Sequence, residues 1–302
     1  MRNLVSESGI EVESGLLEHA IVSGGKKLRP ALTLLSAEFH PCSPDKPVTM
    51  ATAVELLHIA SLMHDDTVDD SSMRRGRATV SCLWGGKIAV LLGDYVFATS
   101  ATYVCDTGNI RVIRRFSEAI MELAKGELSE HFATHNWNQS VADYEERIYY
   151  KTASLFSTAG ECGSVLSGLE ENLCQSLKAY GYYLGMAFQI TDDMLDFLGT
   201  EQELGKPVGG DLLQGTLTLP SLRFAEMYPD NPIMKRLRSG GTDPKDLQDL
   251  VEMIRDSKAI GETQKAVEWY QNQSLDALVD LPKNDSRRAL EMLAEYVTSR
   301  RT

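Results

Sequence analysis

The stretch Val54-Glu-Leu-Leu-His-Ile-Ala-Ser-Leu-Met-His-Asp-Asp-Thr-Val-Asp-Asp70 reads as an apolar helix that runs into four carboxylates. Negative charge at a helix C-terminus opposes the macrodipole, at a cost of a few tenths to about 1 kcal/mol per exposed charge, and crowding the carboxylates adds repulsion. A positive partner is therefore expected there. Asp65 and Asp69 are four residues apart and share a helix face, so their oxygens converge as ligands for a hard cation such as magnesium. The arrangement recurs at Gly185-Met-Ala-Phe-Gln-Ile-Thr-Asp-Asp-Met-Leu-Asp-Phe-Leu-Gly199, where Asp192, Asp193 and Asp196 close another apolar helix. One such cluster reads equally well as a solvated helix end. Two copies favour cation binding. Two facing carboxylate sets with magnesium ions between them would clamp a diphosphate, whose oxygens complete a coordination shell to which the protein gives only one or two carboxylates.

Working outward, no proline occurs between Pro47 and Pro207, as expected of a bundle of long helices. Helical patterns run from Met50 to Asp70, Thr79 to Cys105, Ile110 to His135, Asp143 to Ser167 and Leu173 to Leu198, with Gly76, Gly108, Gly168 and Gly199 as stops. Beyond Pro207 come a Gly-rich segment, a short helix after Pro220, and amphipathic patterns from Asp243 and from Asp285. Neither a linker nor a repeat interrupts the chain, so residues 1–302 are expected to form a single domain.

The formal net charge of -13 argues against a nucleic-acid partner, which would require a surplus of Lys and Arg. Five cysteines without CxxC spacing suit free thiols in a reducing compartment, and the cytoplasm is expected. Met1 to Gly15 has no apolar core of signal-peptide length. No uninterrupted apolar run reaches the roughly 18 residues of a transmembrane segment, although transient contact with a membrane surface is compatible with the composition.

Two basic stretches stand out in this acidic chain: Met73-Arg-Arg-Gly-Arg-Ala78 and Ser23-Gly-Gly-Lys-Lys-Leu-Arg-Pro30. Arginine suits bidentate phosphate recognition, and Gly24-Gly25 lets backbone approach an anion before a helix starting near Pro30. Arg74 and Arg75 read equally as ion-pair partners of the preceding aspartates. Lys151 beside Thr152, and Lys206 in Leu204-Gly-Lys-Pro-Val-Gly-Gly-Asp211, are further cations, each by itself an ordinary surface lysine. A histidine on an apolar helix, such as His58, is usually a satisfied core residue. His131 and His135 have i, i+4 spacing but lack the Glu of a zinc-protease motif and a third ligand, so packing is the better reading.

Together GGKKLRP, ELLHIASLMHDDTVDDSSMRRG, GDY, KT, FQITDDMLD and GKPVGGDLLQGTLTLP resemble the trans-isoprenyl diphosphate synthases, the polyprenyl synthetase family, in order and over nearly the whole chain. The resemblance implies an all-α isoprenoid synthase fold, a helical bundle around a deep central cavity, commonly as a homodimer. It implies two magnesium ions at Asp65 and Asp69 and a third at Asp192. Lys26, Arg29, His58 and Arg75 match the residues that hold isopentenyl diphosphate. Arg74, Lys151, Thr152, Gln189 and Lys206 match those lining the allylic diphosphate site, with Lys151, Gln189 and Lys206 the candidate catalytic residues. The implied chemistry is ionisation: the departing diphosphate is stabilised electrostatically, and the allylic cation is attacked by the double bond of isopentenyl diphosphate. One departure is Thr216, where the family usually has Lys before its TLP segment; a phosphate contact is missing there. Residues five and four before Asp65 are the small Ala60 and Ser61, where short-chain members carry an aromatic. Leu57 lies about one turn deeper as a possible floor, with partners from the next helix, so a product of about twenty carbons or more is expected. Rival readings are a class I terpene cyclase, a noncatalytic partner subunit and an acidic helical scaffold.

Overall fold

The computed structural model describes residues 15–19, 25–74, 76–200, 207–241 and 243–300. Among them the chain is all-α apart from one two-stranded hairpin. It divides into two compact units, 1–116 with 161–171, and 117–160 with 172–302.

The first unit contains α1 (Leu28–Ala37), α2 (Asp45–Val68), the hairpin β1 (Met73–Arg74) and β2 (Arg77–Ala78), α3 (Val80–Trp84), α4 (Gly86–Asp106) and the start of α5 (Ile110–Ala133). Helix α2 begins five residues earlier than its apolar pattern. Pro47 sits in its first turn, where the missing N–H costs nothing. Both α1 and α4 pack on α2, and Leu56, Ile59, Ala60 and Met63 share a core with Ala89, Leu92 and Val96. Each of the larger side chains contributes about 1.5–3 kcal/mol on burial, and each alanine methyl less. After its first turns α2 has a half-buried stripe of His58, Ser61, Leu62 and Asp65, at i, i+3, i+4 and i+7, with His64 and Thr67 also half-buried near its end. The single helix expected over Thr79–Cys105 is two, because Gly85 adopts φ 87 and ends α3. Gly76 is not a helix stop; at φ 74 it makes the hairpin turn, while Asp70 takes the left-handed position after α2 at φ 49. Helix α4 is long and apolar enough to cross a membrane by length and composition. Its Ala89, Leu92, Gly93, Val96, Ser100 and Val104 stripe is buried, and 33% of its apolar window is buried within the fold.

The second unit contains the rest of α5, then α6 (Val141–Ile148), a π-helical turn (Tyr149–Ala153), the first half of α7 (Ser154–Ser167), whose residues from Glu161 on belong to the first unit, α8 (Glu171–Leu198) from its second residue, α9 (Gly210–Leu213), α10 (Leu219–Met227), α11 (Pro232–Arg238), α12 (Pro244–Arg255), α13 (Ala259–Asp276) and α14 (Asp285–Thr298). The pattern over Asp143–Ser167 is α6, the π turn and α7 in succession, opened by a Ser140–Asp143 capping box. Tyr144, Ile148, Met186, Ile190 and Phe197 form a core with Leu219, Leu222, Leu250, Ile254 and Val267. Helix α13 was not visible in the hydrophobic pattern, because its buried positions include the polar Thr263 and Ser274 and the small Ala259. The π turn is held on two sides by backbone. A Cβ on Gly126 of α5 would lie 2.6 Å from Lys151 N, and one on Gly185 of α8 would lie 2.6 Å from Ala153 Cα.

Candidate active site

At the end of α2 the four carboxylates divide by exposure. Asp65 is half-buried, Asp69 and Asp70 are exposed, and Asp66 is buried. Asp69 is the C-cap, its N–H bonded to Asp65 O at 2.8 Å, which continues the helical spacing that places both side chains on one face. Asp66 turns inward and accepts a hydrogen bond from Arg74 Nε at 2.5 Å. Burial raises the Asp66 carboxyl above its usual range and the Arg74 guanidinium opposes that rise. The hairpin carrying Arg74 is itself anchored to this helix end: Ser71 N donates to Asp66 O at 2.9 Å, and Thr79 Oγ1 to Ser71 O at 2.7 Å. Arg74 is thus an ion-pair partner of the cluster, with its side chain still 38% exposed. Arg75 lies outside the described residues.

The segment expected to hold a second diphosphate docks on the same helix. Lys27, left-handed at φ 50, caps α1 and donates from Nζ to the buried Glu55 at 2.7 Å, one turn before His58. Lys26 is exposed and Arg29 half-buried at the start of α1; Gly24 lies outside the described residues. His58 is half-buried on the open stripe rather than enclosed in the core. Ser61 shares that stripe, its hydroxyl donating to His58 O at 3.0 Å. Ala60, at 0% exposure, and Leu57, at 1%, are enclosed. Ala60 packs in the cluster that joins α2 to Leu92 and Val96 of α4.

In the second unit, Asp192 is the open member of its cluster, and its Oδ1 stands 2.9 Å from Arg300 Nη1. Asp193 and Asp196 are buried and already engaged. Tyr144 OH donates to Asp193 Oδ2 at 2.6 Å and Gln189 Nε2 to Asp193 Oδ1 at 2.8 Å. Burial, with the nearby Asp211, pushes the Asp193 carboxyl up to about 7. Asp196 accepts the Asp211 N–H at 3.2 Å and, through its carbonyl, the Gly209 N–H at 2.8 Å, tying down the segment that leads into α9. Gln189 also accepts from Thr152 Oγ1 at 2.7 Å, so the π turn, Gln189 and Asp193 form one hydrogen-bonded line. A π turn inside a longer helix is a frequent mark of a functional site. Lys151, on that turn, points its ammonium at Glu127, 3.3 Å away, and at Glu130. Lys206 lies outside the described residues, as do Leu204 and Gly205.

Thr216 is half-buried, its N–H donating to Asp211 O at 2.8 Å. His135 packs edge-on against Trp137 and beneath Gly215, where a Cβ would meet its ring at 2.8 Å. Two partners of the second cluster had no motif to announce them: Tyr144, on a different helix, and Arg300, in a Ser-Arg-Arg run whose only signal was two cations in an acidic chain.

Among the described residues no three His, Cys, Asp or Glu side chains converge as a preformed metal cage. In each unit the more exposed carboxylates, the i, i+4 pair Asp65 and Asp69 in the first and Asp192 in the second, are of the oxygen-ligand kind magnesium uses when phosphate oxygens complete its shell. The residues fit that ion.

A family model described as polyprenyl synthetase matches residues 11–254. Heptaprenyl diphosphate synthase component 2 of Bacillus subtilis (strain 168) is 36% identical over 301 residues, covering 99% of this chain and 83% of that protein. The fold is similar to that of heptaprenyl diphosphate synthase from Staphylococcus aureus, with a TM-score of 0.95 at 33% identity, over 100% of this chain and 95% of that one. It is also similar to a polyprenyl synthase from Caulobacter crescentus CB15 complexed with calcium and isoprenyl diphosphate, with a TM-score of 0.90 at 35% identity, over 100% of this chain and 93% of that one. With both aspartate clusters, their spacing and the helical fold in agreement, the chain belongs to the polyprenyl synthetase family of enzymes.

Proposed function

We propose that this enzyme extends an allylic prenyl diphosphate with isopentenyl diphosphate in a magnesium-dependent reaction, giving a trans-polyprenyl diphosphate of about twenty carbons or more. The observation that carries the reading is the division of each cluster into outward and inward aspartates. Asp65 and Asp192 are half-buried and Asp69 is exposed, within reach of solvent cations, while Asp66, Asp193 and Asp196 are buried and bonded to the fold. The calcium and isoprenyl diphosphate bound by the Caulobacter relative support a cation with oxygen ligands and a substrate of this class.

Magnesium, three ions with substrate bound, supplies charge to stabilise the leaving diphosphate. The chain's own part is binding and orientation. Lys26, Arg29, His58 and Arg75 hold isopentenyl diphosphate. Arg74, Lys151, Thr152, Gln189 and Lys206 serve the allylic diphosphate, with Lys151, Gln189 and Lys206 closest to the reaction. In this role Thr152 acts through Gln189, because its single hydroxyl proton is committed to Gln189 Oε1. Lys151 must exchange Glu127 and Glu130 for a phosphate oxygen. The family model runs through both compact units, which supports one functional domain.

A homodimer in the cytoplasm completes the proposal. Ile88, Leu91 and Tyr95 at i, i+3 and i+7 make an exposed apolar face on α4, the kind of surface a second subunit covers. All five cysteines are free, as in a reducing compartment. A second reading rests on the name of the Bacillus relative, a component 2, and on Thr216: elongation here would require a different subunit. Asp65→Ala tests the metal role. It is expected to lower turnover by roughly 1000-fold with helix content unchanged; near-normal turnover refutes it.

A further inference from the structure

Arg300 follows α14 and reaches the second aspartate cluster within the same compact unit. Its side chain is only 5% exposed, and a guanidinium is almost never buried so deeply without partners. Nε donates to Val297 O at 3.0 Å and Nη2 to Phe188 O at 3.3 Å, while the guanidinium carbon stacks 4.2 Å from the centre of the Phe188 ring. The helix that delivers it is pinned by the Tyr180 hydroxyl, which donates to Leu290 O at 2.7 Å, and by the buried Leu290, Ala294 and Val297. Two carbonyls and an aromatic face fix the guanidinium plane, and the remaining nitrogen, Nη1, stands 2.9 Å from Asp192 Oδ1 as an ion pair.

We propose that Arg300 is a built-in counter-ion that competes with magnesium for Asp192, so that a metal takes this carboxylate only together with a diphosphate that pairs with the guanidinium in its place. The inference rests on Asp192 being a metal ligand. A guanidinium is always charged, and its planar fork matches phosphate as well as carboxylate. Held in place by its other contacts, it stays beside Asp192 after losing it. A divalent ion arriving alone would therefore face a fixed positive charge, which disfavours it. A diphosphate arriving with the ion removes that repulsion and gives Nη1 a new acceptor. Metal and diphosphate binding at this carboxylate are thus coupled, each strengthening the other.

The test titrates the full chain with Mn2+ as the spectroscopic stand-in for magnesium, reading free Mn2+ by electron paramagnetic resonance, with and without inorganic diphosphate. The proteins are wild type, Arg300→Gln, Arg300→Lys, Asp192→Asn and the Asp192→Asn, Arg300→Gln double variant, each checked for helix content. Without diphosphate, Arg300→Gln is expected to bind Mn2+ roughly five- to tenfold more tightly than wild type. Arg300→Lys, which keeps a competing charge, stays nearer wild type. Diphosphate removes the advantage, and in the Asp192→Asn background the Arg300 substitution has no effect. If Asp192→Asn weakens Mn2+ binding but Arg300→Gln leaves it unchanged or weaker, the counter-ion inference fails alone. If Asp192→Asn binds Mn2+ as wild type does, the metal role of Asp192 fails and the inference with it.

Discussion

Neighbouring aspartates do opposite jobs. In the pairs Asp65-Asp66 and Asp192-Asp193 the first side chain is the more exposed and the second is buried and bonded into the protein, Asp66 to Arg74 and Asp193 to Tyr144 and Gln189. Substitutions should separate the two roles. Asp65→Ala removes a cation ligand and leaves the fold, whereas Asp193→Ala strands the buried Tyr144 hydroxyl and the Gln189 amide. Asp193→Ala is therefore expected to lower stability by about 1–3 kcal/mol, read from thermal unfolding followed by circular dichroism. An unchanged midpoint would show that these bonds carry no weight. The sequence pointed to Asp65 and Asp69 because i, i+4 spacing fixes their common face. It could not reveal that Tyr144 and Arg300 attend the second cluster, since 49 and 108 positions separate them from Asp193 and Asp192. Ala60 is also a residue-scale question. It is fully enclosed against Leu92 and Val96, so Ala60→Phe must either displace that cluster or fill the space a growing chain uses. The expected outcome is a shift to shorter products with modest loss of stability; an unchanged product distribution removes Ala60 as a gate.

Among the elements, the long helices were legible because their apolar faces repeat without proline, and α8 spans Glu171–Leu198 against an expected Leu173–Leu198. What escaped had local causes. A positive φ at Gly85 splits α3 from α4, Pro47 opens α2 rather than blocking it, and a π turn carries no hydrophobic signature of its own. That turn holds Lys151 and Thr152, and two glycines let α5 and α8 approach its backbone. Gly126→Ala places a methyl 2.6 Å from Lys151 N, inside contact distance of an atom that cannot swing away. Overpacking of this kind costs about 1–3 kcal/mol. The expected result is a lowered unfolding midpoint together with a turnover loss larger than that of an Ala substitution at the exposed Gly261, where nothing lies within 4 Å of the added Cβ. Equal effects at the two sites would show that the turn does not depend on the close approach.

At the scale of the whole molecule, an acidic protein with a formal charge of -13 handles substrates that are themselves anions. Its cations are therefore placed rather than abundant. Lys27 pairs with Glu55, Arg74 with Asp66 and Arg300 with Asp192, and under the proposed function the remaining negative charge at the clusters is what bound metal would balance. The all-α class and the family followed from motifs spread along the chain, while the division into two compact units was not foreseen, because no linker marks it. The most direct measurement incubates the purified chain alone with labelled isopentenyl diphosphate and allylic diphosphates of increasing length, with magnesium or with a chelator, and sizes the products. Elongation to about twenty carbons or more in magnesium, and none in chelator, is the predicted result. No elongation in magnesium, with activity restored only by a second, different subunit, would contradict it.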